Sequence, residues 1–317
     1  MLFNGRSAVC FLSVLVMIAR WFPHEKFGVL AGVGQLFSTV GILLGGFPLA
    51  LLIQYYLSWR VVMIILGTAG VILTLMCILV AQDGPLETGP TRSTRRDYLT
   101  ELKEVFTSKT MWGIGLYAFC GWGIMVVFAE QWAIPFMRER FSFPEESKHI
   151  GMVIFWLTAG VLSPCFGYIS DRLKRRAPIL AISSFIGMMA MFFLLYSTGI
   201  SSSTGFAFLF CLGVCAAAQI LTFAYVKDHC KYTSIGVAIG MNIALSILGG
   251  VICNYIVQGT LNYLGSGQGG RFFLPDYRIA LSILPIFLFT GVFIALFFLK
   301  DKKVTPIHSE ETSKEKK

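Results

Sequence analysis

Continuous apolar runs of about 20 residues follow one another along almost the whole sequence, and short polar segments separate them. A helix of that length rises about 30 Å, which matches the hydrocarbon thickness of a bilayer. The runs do not alternate apolar and polar residues in segments of about ten, so the pattern is not that of a membrane β-barrel. The pattern predicts an all-α polytopic membrane protein with about nine transmembrane helices, at residues 7–20, 28–53, 59–81, 111–136, 149–169, 178–198, 204–226, 234–260 and 278–299.

Two polar regions divide this pattern. Residues 82–110 form a linker that contains prolines and glycines, and its amphipathic stretch at 98–106 predicts a helix on the membrane surface. Residues 301–317 are polar and charged without an apolar face, which predicts a disordered tail. We therefore expect a three-helix unit at 1–81, the linker, a six-helix bundle at 111–300 and the tail.

Composition and charge agree with a membrane protein and indicate its orientation. Hydrophobic residues make up 56% of the sequence and charged residues only 14%, which excludes a soluble globular domain. The net charge is +9, and alternate loops place 19 lysines and arginines on one side and six on the other, with Arg6 set aside. The positive-inside rule then puts the linker and the C-terminal tail in the cytoplasm. Because the excess of basic residues is explained by membrane orientation, it does not indicate a nucleic-acid partner. We expect the lipid bilayer as a partner and no nucleic acid.

A glycine pattern repeats at a constant offset of 208 residues. The sequence G-V-L-A-G at 28–32 and the sequence G-V-A-I-G at 236–240 each follow a basic loop, and each precedes a further glycine, Gly41 or Gly249. Small residues at such spacings permit close helix packing in membranes. The predicted helix-packing glycines are Gly28, Gly32, Gly41, Gly45, Gly236, Gly240 and Gly249. The offset would make spans one to three equivalent to spans seven to nine, although coincidence is an open alternative.

The loop after the fifth span carries the most specific motif of the sequence. It reads G-Y-I-S-D-R-L-K-R-R from Gly167 to Arg176. This resembles the G-x-x-x-D-R-x-G-R-R signature of the major facilitator superfamily, with Lys174 in place of the second glycine. The matching residues are Gly167, Asp171, Arg172, Arg175 and Arg176. Independently of the resemblance, an aspartate can cap a neighbouring helix N-terminus. We predict that Asp171 acts in this way near Ser234 to Gly236 and so holds one face closed.

Two further stretches resemble the same superfamily. The segment from R-W-F-P at 20–23 to W-R at 59–60 is similar to the part of the family around its fifth helix, and residues 236–250 are similar to its eleventh. The resemblance implies a six-plus-six bundle of which helices four to twelve are present and the first three are absent. It also implies alternating access at a midplane site, driven by an ion gradient, most often of protons. The antiporter signature is incomplete because Gly46 stands where a proline is expected, which favours a symporter or a uniporter.

Intramembrane polar residues are the candidates for binding solute. Glu130 is the most informative because an ionised carboxylate inside a bilayer is costly unless it faces a cavity or a partner. The resemblance places its helix along the central cavity, so the candidate substrate or coupling residues are Glu130, Gln131, Tyr117, Gln219 and Asn242. The alternative for Glu130 is a hydrated carboxylate near the interface, and the other polar groups could simply link helices.

No enzyme motif accompanies these residues. The four histidines are scattered over loops and tail, the eight cysteines form no C-x-x-C pair, and we expect neither metal nor cofactor. We therefore predict a secondary transporter of a small polar metabolite in a bacterial inner membrane, with protons as the coupling ion. Two alternatives are open. One is a truncated or split fragment that inserts but does not transport, or that needs a separate N-terminal three-helix fragment as a partner, and the other is a membrane sensor or scaffold with the same fold.

Overall fold

The computed structural model describes residues 2–55, 58–80, 95–141, 148–231, 233–265 and 272–301. The regular structure of these residues is helical throughout. The helices are α1 (Leu2–Trp21), α2 (Phe27–Gly45), α3 (Phe47–Tyr55), α4 (Trp59–Val80), α5 (Arg95–Thr107), α6 (Lys109–Gly123), α7 (Ala133–Phe141), α8 (Lys148–Leu173), α9 (Ala177–Tyr196), α10 (Ser202–Ala218), α11 (Ile220–His229), α12 (Ile235–Gly265), α13 (Leu274–Leu281) and α14 (Ile283–Phe297). A short 3₁₀ helix, His24–Lys26, precedes α2, and a π-helical segment, Ile124–Trp132, joins α6 to α7.

Among the described residues, eight helical stretches are long and apolar enough to cross a membrane. They coincide with the second to ninth predicted spans, so the multi-pass helical architecture is confirmed. The first predicted span falls on α1, within which Cys10–Trp21 forms a shorter apolar stretch among the residues whose side chains the structure describes. The predicted surface helix at 98–106 lies within α5, where Val105 is buried. The rest of the linker, 81–94, and the tail beyond residue 301 lie outside the described residues.

Helices α2 and α8 approach each other backbone to backbone. A Cβ atom built on Gly167 would lie 2.2 Å from the carbonyl oxygen of Gly28, and one on Gly32 would lie 2.5 Å from the Cα of Pro164. Since real Cβ atoms do not approach that closely, the two backbones can meet at these points only because at least one of the two helices carries glycine there. Gly28 and Gly32 are therefore packing glycines, as their spacing predicts.

Helix α12 packs against α6 through a different glycine. A Cβ on Gly249 would lie 2.1 Å from the carbonyl oxygen of Phe119. In contrast, Gly240 has no heavy atom within 4 Å of a built Cβ, and Gly236 has only a methyl of Val16 at 3.9 Å. At about 100° per residue, Gly240 lies about 180° around the helix from Gly249, so it faces away from α6.

The same geometry corrects the prediction for the end of α2. Gly41 and Gly45 have no heavy atom within 4 Å of a built Cβ, so neither packs against another described helix. Gly41 lies about 220° around α2 from Gly28, whereas Thr39, about 20° from Gly28, contacts Gly160 of α8. The first two glycines of the repeat are therefore packed in α2, whereas only the last glycine of the repeat is packed in α12. A linear pattern does not distinguish these two arrangements.

Helix α4 stands apart from this packing. Of its described residues only Val62 is buried, and apolar side chains such as Leu79 are exposed around the whole helix. A helix that is apolar on all sides is suited to contact with lipid. The well-packed part of the molecule instead consists of two buried clusters. One contains Phe128 and is built from the helices that follow α5, and the other contains Tyr225 and also includes residues of α1, α2 and α5.

Candidate functional site

A cavity of about 350 Å³ lies between the N-terminal helices α1 and α2 and the helices that follow α5. The lining residues are Phe11, Gln35, Ser38, Ile42, Trp122, Met125, Val126, Glu130, Trp156, Ala216, Gln219, Ile220, Phe223, Ile243, Ser246 and Ile247. A mostly apolar cavity with a few polar groups is typical of a small-molecule site.

Glu130 is the charged group of this cavity. The π-helical segment Ile124–Trp132 carries it, and such wider turns change the direction in which successive side chains project. Its side chain is exposed at the cavity, and within the described part of the chain no side chain pairs with its carboxylate. The neighbouring Gln131 is exposed but is not among the lining residues. The structure therefore separates two residues that the sequence had grouped.

Gln219 also lines the cavity, at the junction of α10 and α11. It is only 6% exposed, and its amide Nε2 has no hydrogen-bond partner in the described structure. A Cβ built on Gly121 would lie 1.9 Å from this nitrogen, so the glycine makes the room that the amide occupies. A buried amide without a partner is costly, which makes Gln219 a candidate donor to a bound solute.

Tyr117 and Asn242 lie away from the cavity. The Tyr117 hydroxyl lies 2.7 Å from the hydroxyl oxygen of Ser184 and donates to the carbonyl oxygen of Leu180 at 3.0 Å, so it joins α6 to α9. Asn242 donates from Nδ2 to the hydroxyl of Thr222 at 3.0 Å and joins α12 to α11. Of the five candidate residues, the structure brings only Glu130 and Gln219 together at one cavity.

The cavity is also lined by aromatic residues, which the sequence does not single out as candidates for binding solute. Trp156 reads as a packing aromatic in the sequence, yet it lines the cavity, as do Trp122, Phe11 and Phe223. Phe11 and Phe223 meet edge to face, with ring centroids 5.6 Å apart, so they link α1 to α11. Aromatic residues are frequent in all the spans, so only the tertiary arrangement identifies these four.

The signature loop forms a second feature, at one end of α8. The Asp171 carboxylate accepts a hydrogen bond from the backbone nitrogen of Val29 at 3.1 Å, in the first turn of α2. A Cβ on Gly28 would lie 2.6 Å from the same carboxylate, so glycine is required there. We call this contact of Asp171 with the start of α2 the loop clasp. The prediction that Asp171 caps the helix start near Ser234 to Gly236 is wrong. Because α8 packs along α2, the Asp171 carboxylate reaches the start of α2 instead.

The arginines of the signature have different roles. Arg176 is buried, donates to Asp171 at 2.9 Å, and pairs with Asp228 at the end of α11. The other two, Arg172 and Arg175, are exposed. Lys174 has a φ of 52°, the left-handed conformation that favours glycine, which explains why the signature has glycine at this position. Burial of Arg176 between two carboxylates fixes the end of α8, which carries Asp171.

Lys227 and Asp301 also contribute to this end of the molecule. The Nζ of Lys227 lies 4.5 Å from the centroid of the Phe27 ring at the start of α2, and the residue is 2% exposed. The carboxylate of Asp301 accepts from the backbone nitrogens of Arg176 and Ala177 at 3.0 and 3.1 Å, so it caps α9. In the sequence Lys227 is one cation among those of the basic loops, and its distance from Phe27 along the chain hides the contact.

These features define a class of protein. It is a helical membrane protein whose helices enclose a central cavity and are joined at one end by a charged loop. A family model described as the Major Facilitator Superfamily matches residues 3–253 and 132–317. Vesicular glutamate transporter 3 of Danio rerio is 23% identical over 331 residues, which cover 95% of this chain and 53% of that protein. The chain thus spans about half the length of this curated relative.

The fold itself matches a solved structure. The crystal structure of the E. coli fucose:proton symporter aligns with a TM-score of 0.66 at 14% sequence identity, over 91% of this chain and 73% of the symporter. With the family match over most of the sequence, the resemblance that the signature loop indicated is confirmed. The chain belongs to the Major Facilitator Superfamily, a family of membrane transporters.

Proposed function

We propose that this protein works as a secondary active transporter that moves a small polar solute by alternating access, with Glu130 as the proton-coupling group. The observation that carries this proposal is the placement of Glu130, without a described partner, at a cavity between two groups of helices. An ionisable residue at membrane depth that faces a cavity is suited to a proton relay. Its carboxylate can hold a proton in one state of the cycle and release it in another.

The loop clasp supports the conformational part of the proposal. It joins α8, through Asp171, to the first turn of α2, through Val29. The ring of Phe27 under Lys227 adds a second contact at the same end. Separation of α2 from α8 and α11 at this end would open the cavity there, which is the motion that alternating access requires. We place this end in the cytoplasm, because the basic loops gather on its side of the membrane.

Size and chemistry support a small solute. A cavity of about 350 Å³ holds a small metabolite, and Gln35, Ser38, Gln219 and Ser246 offer hydrogen bonds. The names of the similar proteins refer to glutamate and to fucose with a proton. From these relatives we carry over to this chain the transport of a solute and its coupling to protons. We do not carry over glutamate or fucose as the solute.

Uptake into proteoliposomes tests the proposal. The purified chain would be reconstituted with an imposed proton gradient and offered a panel of radiolabelled sugars, amino acids and amines. We expect saturable uptake that depends on the gradient and that Glu130→Gln abolishes. Glu139→Gln is the matched control, because Glu139 is exposed on α7 and does not line the cavity.

Two results would contradict the proposal. Uptake that survives Glu130→Gln with its gradient dependence intact would remove Glu130 as the coupling group. Correct insertion without gradient-driven uptake of any solute would instead favour the alternative of a fragment that does not transport. Helix insertion is local and alternating access is not, so the two properties can be separated in one preparation.

A further inference from the structure

The electrostatic character of the cavity is set by one residue. Among the described lining residues, Glu130 carries the one charge, and none is a lysine, arginine or histidine. Arg176 and Lys227, the buried cations of the loop end, are not part of the lining. An anionic solute would therefore meet a carboxylate without a described cation to balance either charge, and burying such an arrangement is unfavourable.

The aromatic residues of the cavity favour the opposite charge. Trp122, Trp156, Phe11 and Phe223 contribute from α6, α8, α1 and α11, so rings are present on several sides of the space. The rings of aromatic residues attract a desolvated cation, and cages of several rings are a common way to bind quaternary ammonium groups. The carboxylate of Glu130 would supply the counter-charge that this environment otherwise lacks.

Gln219 adds a requirement on the rest of the ligand. Its buried amide lacks a partner at Nε2, while the hydroxyls of Ser38 and Ser246 already donate to backbone carbonyl oxygens of their own helices. A ligand oxygen placed near Gln219 would satisfy that amide. A suitable ligand therefore has a positive group and, on another part of its structure, a hydroxyl or carbonyl group.

We propose that the cavity binds a small organic cation, a protonated or quaternary amine that also carries a hydrogen-bonding oxygen, with Glu130 as its counter-ion and the aromatic residues around its positive group. This inference rests on the proposed function, since it names the class of solute for the same cavity. It assigns Glu130 to ligand binding as well as to coupling, and it assigns Gln219 to the oxygen of the ligand.

Two ligands of equal shape test the charge directly. Choline and 3,3-dimethylbutan-1-ol differ in the replacement of the positive nitrogen by carbon, and L-glutamate serves as the anion. Binding to the purified full chain in detergent would be measured by calorimetry, with tryptophan fluorescence as a second readout because Trp122 and Trp156 line the cavity. We expect choline to bind at least about tenfold more tightly than either of the other two.

Variants locate the binding charge. Glu130→Gln should weaken choline binding at least about tenfold and leave the weak binding of the neutral alcohol unchanged. The double variant Glu130→Gln/Gln131→Glu keeps the net charge and moves the carboxylate by one residue, off the cavity lining, so it should bind choline as poorly as Glu130→Gln does. Gln219→Leu should weaken choline more than tetramethylammonium, which has no oxygen.

Four results would overturn the inference. Equal affinity for choline and its neutral analogue would show that charge does not select the ligand, and tighter binding of glutamate would reverse the proposed class. Full choline binding by the double variant would place the binding charge elsewhere. A protein that fails to bind choline but transports another solute would refute the cation class and leave the transport proposal standing, since uptake is measured without these probes.

Discussion

Removal of the Asp171 carboxylate is expected to release one end of the molecule. Its contact with Val29 joins α8 to α2, whereas its ion pair with Arg176 stays within the region of its own loop. Separation of α2 from α8 would break only the first of these contacts. Asp171→Ala should therefore change the equilibrium between the two states through the lost helix cap and the lost charge at a helix N-terminus.

The size of the effect follows from these two contributions. A side-chain cap is worth about 0.5–2 kcal/mol, and a negative charge at a helix N-terminus is worth about 0.3–1 kcal/mol. Their sum of about 1–3 kcal/mol corresponds to a change of about 5- to 150-fold in the ratio of closed to open protein. Asp171→Asn should fall at the lower end of this range, because its side-chain oxygen can still accept from Val29.

Labelling of one engineered cysteine measures this equilibrium. Ser38→Cys, in a background without the native cysteines, places a thiol at the cavity, and a membrane-impermeant maleimide would be added from the side of the loop end. We expect faster labelling in Asp171→Ala. The control is Glu104→Gln, which removes the exposed ion pair of Glu104 with Lys231 and leaves Asp171, Arg176 and Val29 in place. Labelling rates within twofold of each other for the parent and Asp171→Ala, or an equal increase in Glu104→Gln, would refute the clasp.

Three other outcomes follow from the same structure. Gly167→Ala should lower the melting temperature in detergent by an amount equivalent to about 1–3 kcal/mol, because its Cβ would meet a backbone oxygen at 2.2 Å. The control Gly41→Ala places its Cβ in open space and should not destabilise the protein. Tyr117→Phe removes buried hydrogen bonds and should cost about 1–2 kcal/mol in thermal stability without changing choline affinity, so a selective loss of binding would contradict its packing role. Reporter fusions at Lys174 and Ser202 should lie on opposite sides of the membrane, and a common side would contradict the assignment of α9 as a span.

The sequence alone determined the helices, because a helix in a bilayer satisfies its own backbone hydrogen bonds. Apolar length is then sufficient to locate a span, and the second to ninth spans coincide with helical stretches of the structure. The signature from Gly167 to Arg176 determined the family for a similar reason, since a close helix approach and a capping carboxylate require particular residues at fixed local spacing. The left-handed Lys174 shows how local that constraint is.

Only the tertiary structure decided which residues meet. Asp171 reaches α2 because α8 lies along that helix, and the choice between two similar helix N-termini is not encoded near the aspartate. The π-helical turn directs Glu130 to the cavity and leaves Gln131 outside it, although both are polar neighbours in one apolar span. Tyr117 was equally plausible by type and position, yet its hydroxyl joins two helices. Local sequence sets the period of each helix, but the face that a helix turns toward a cavity depends on partners far away in the chain.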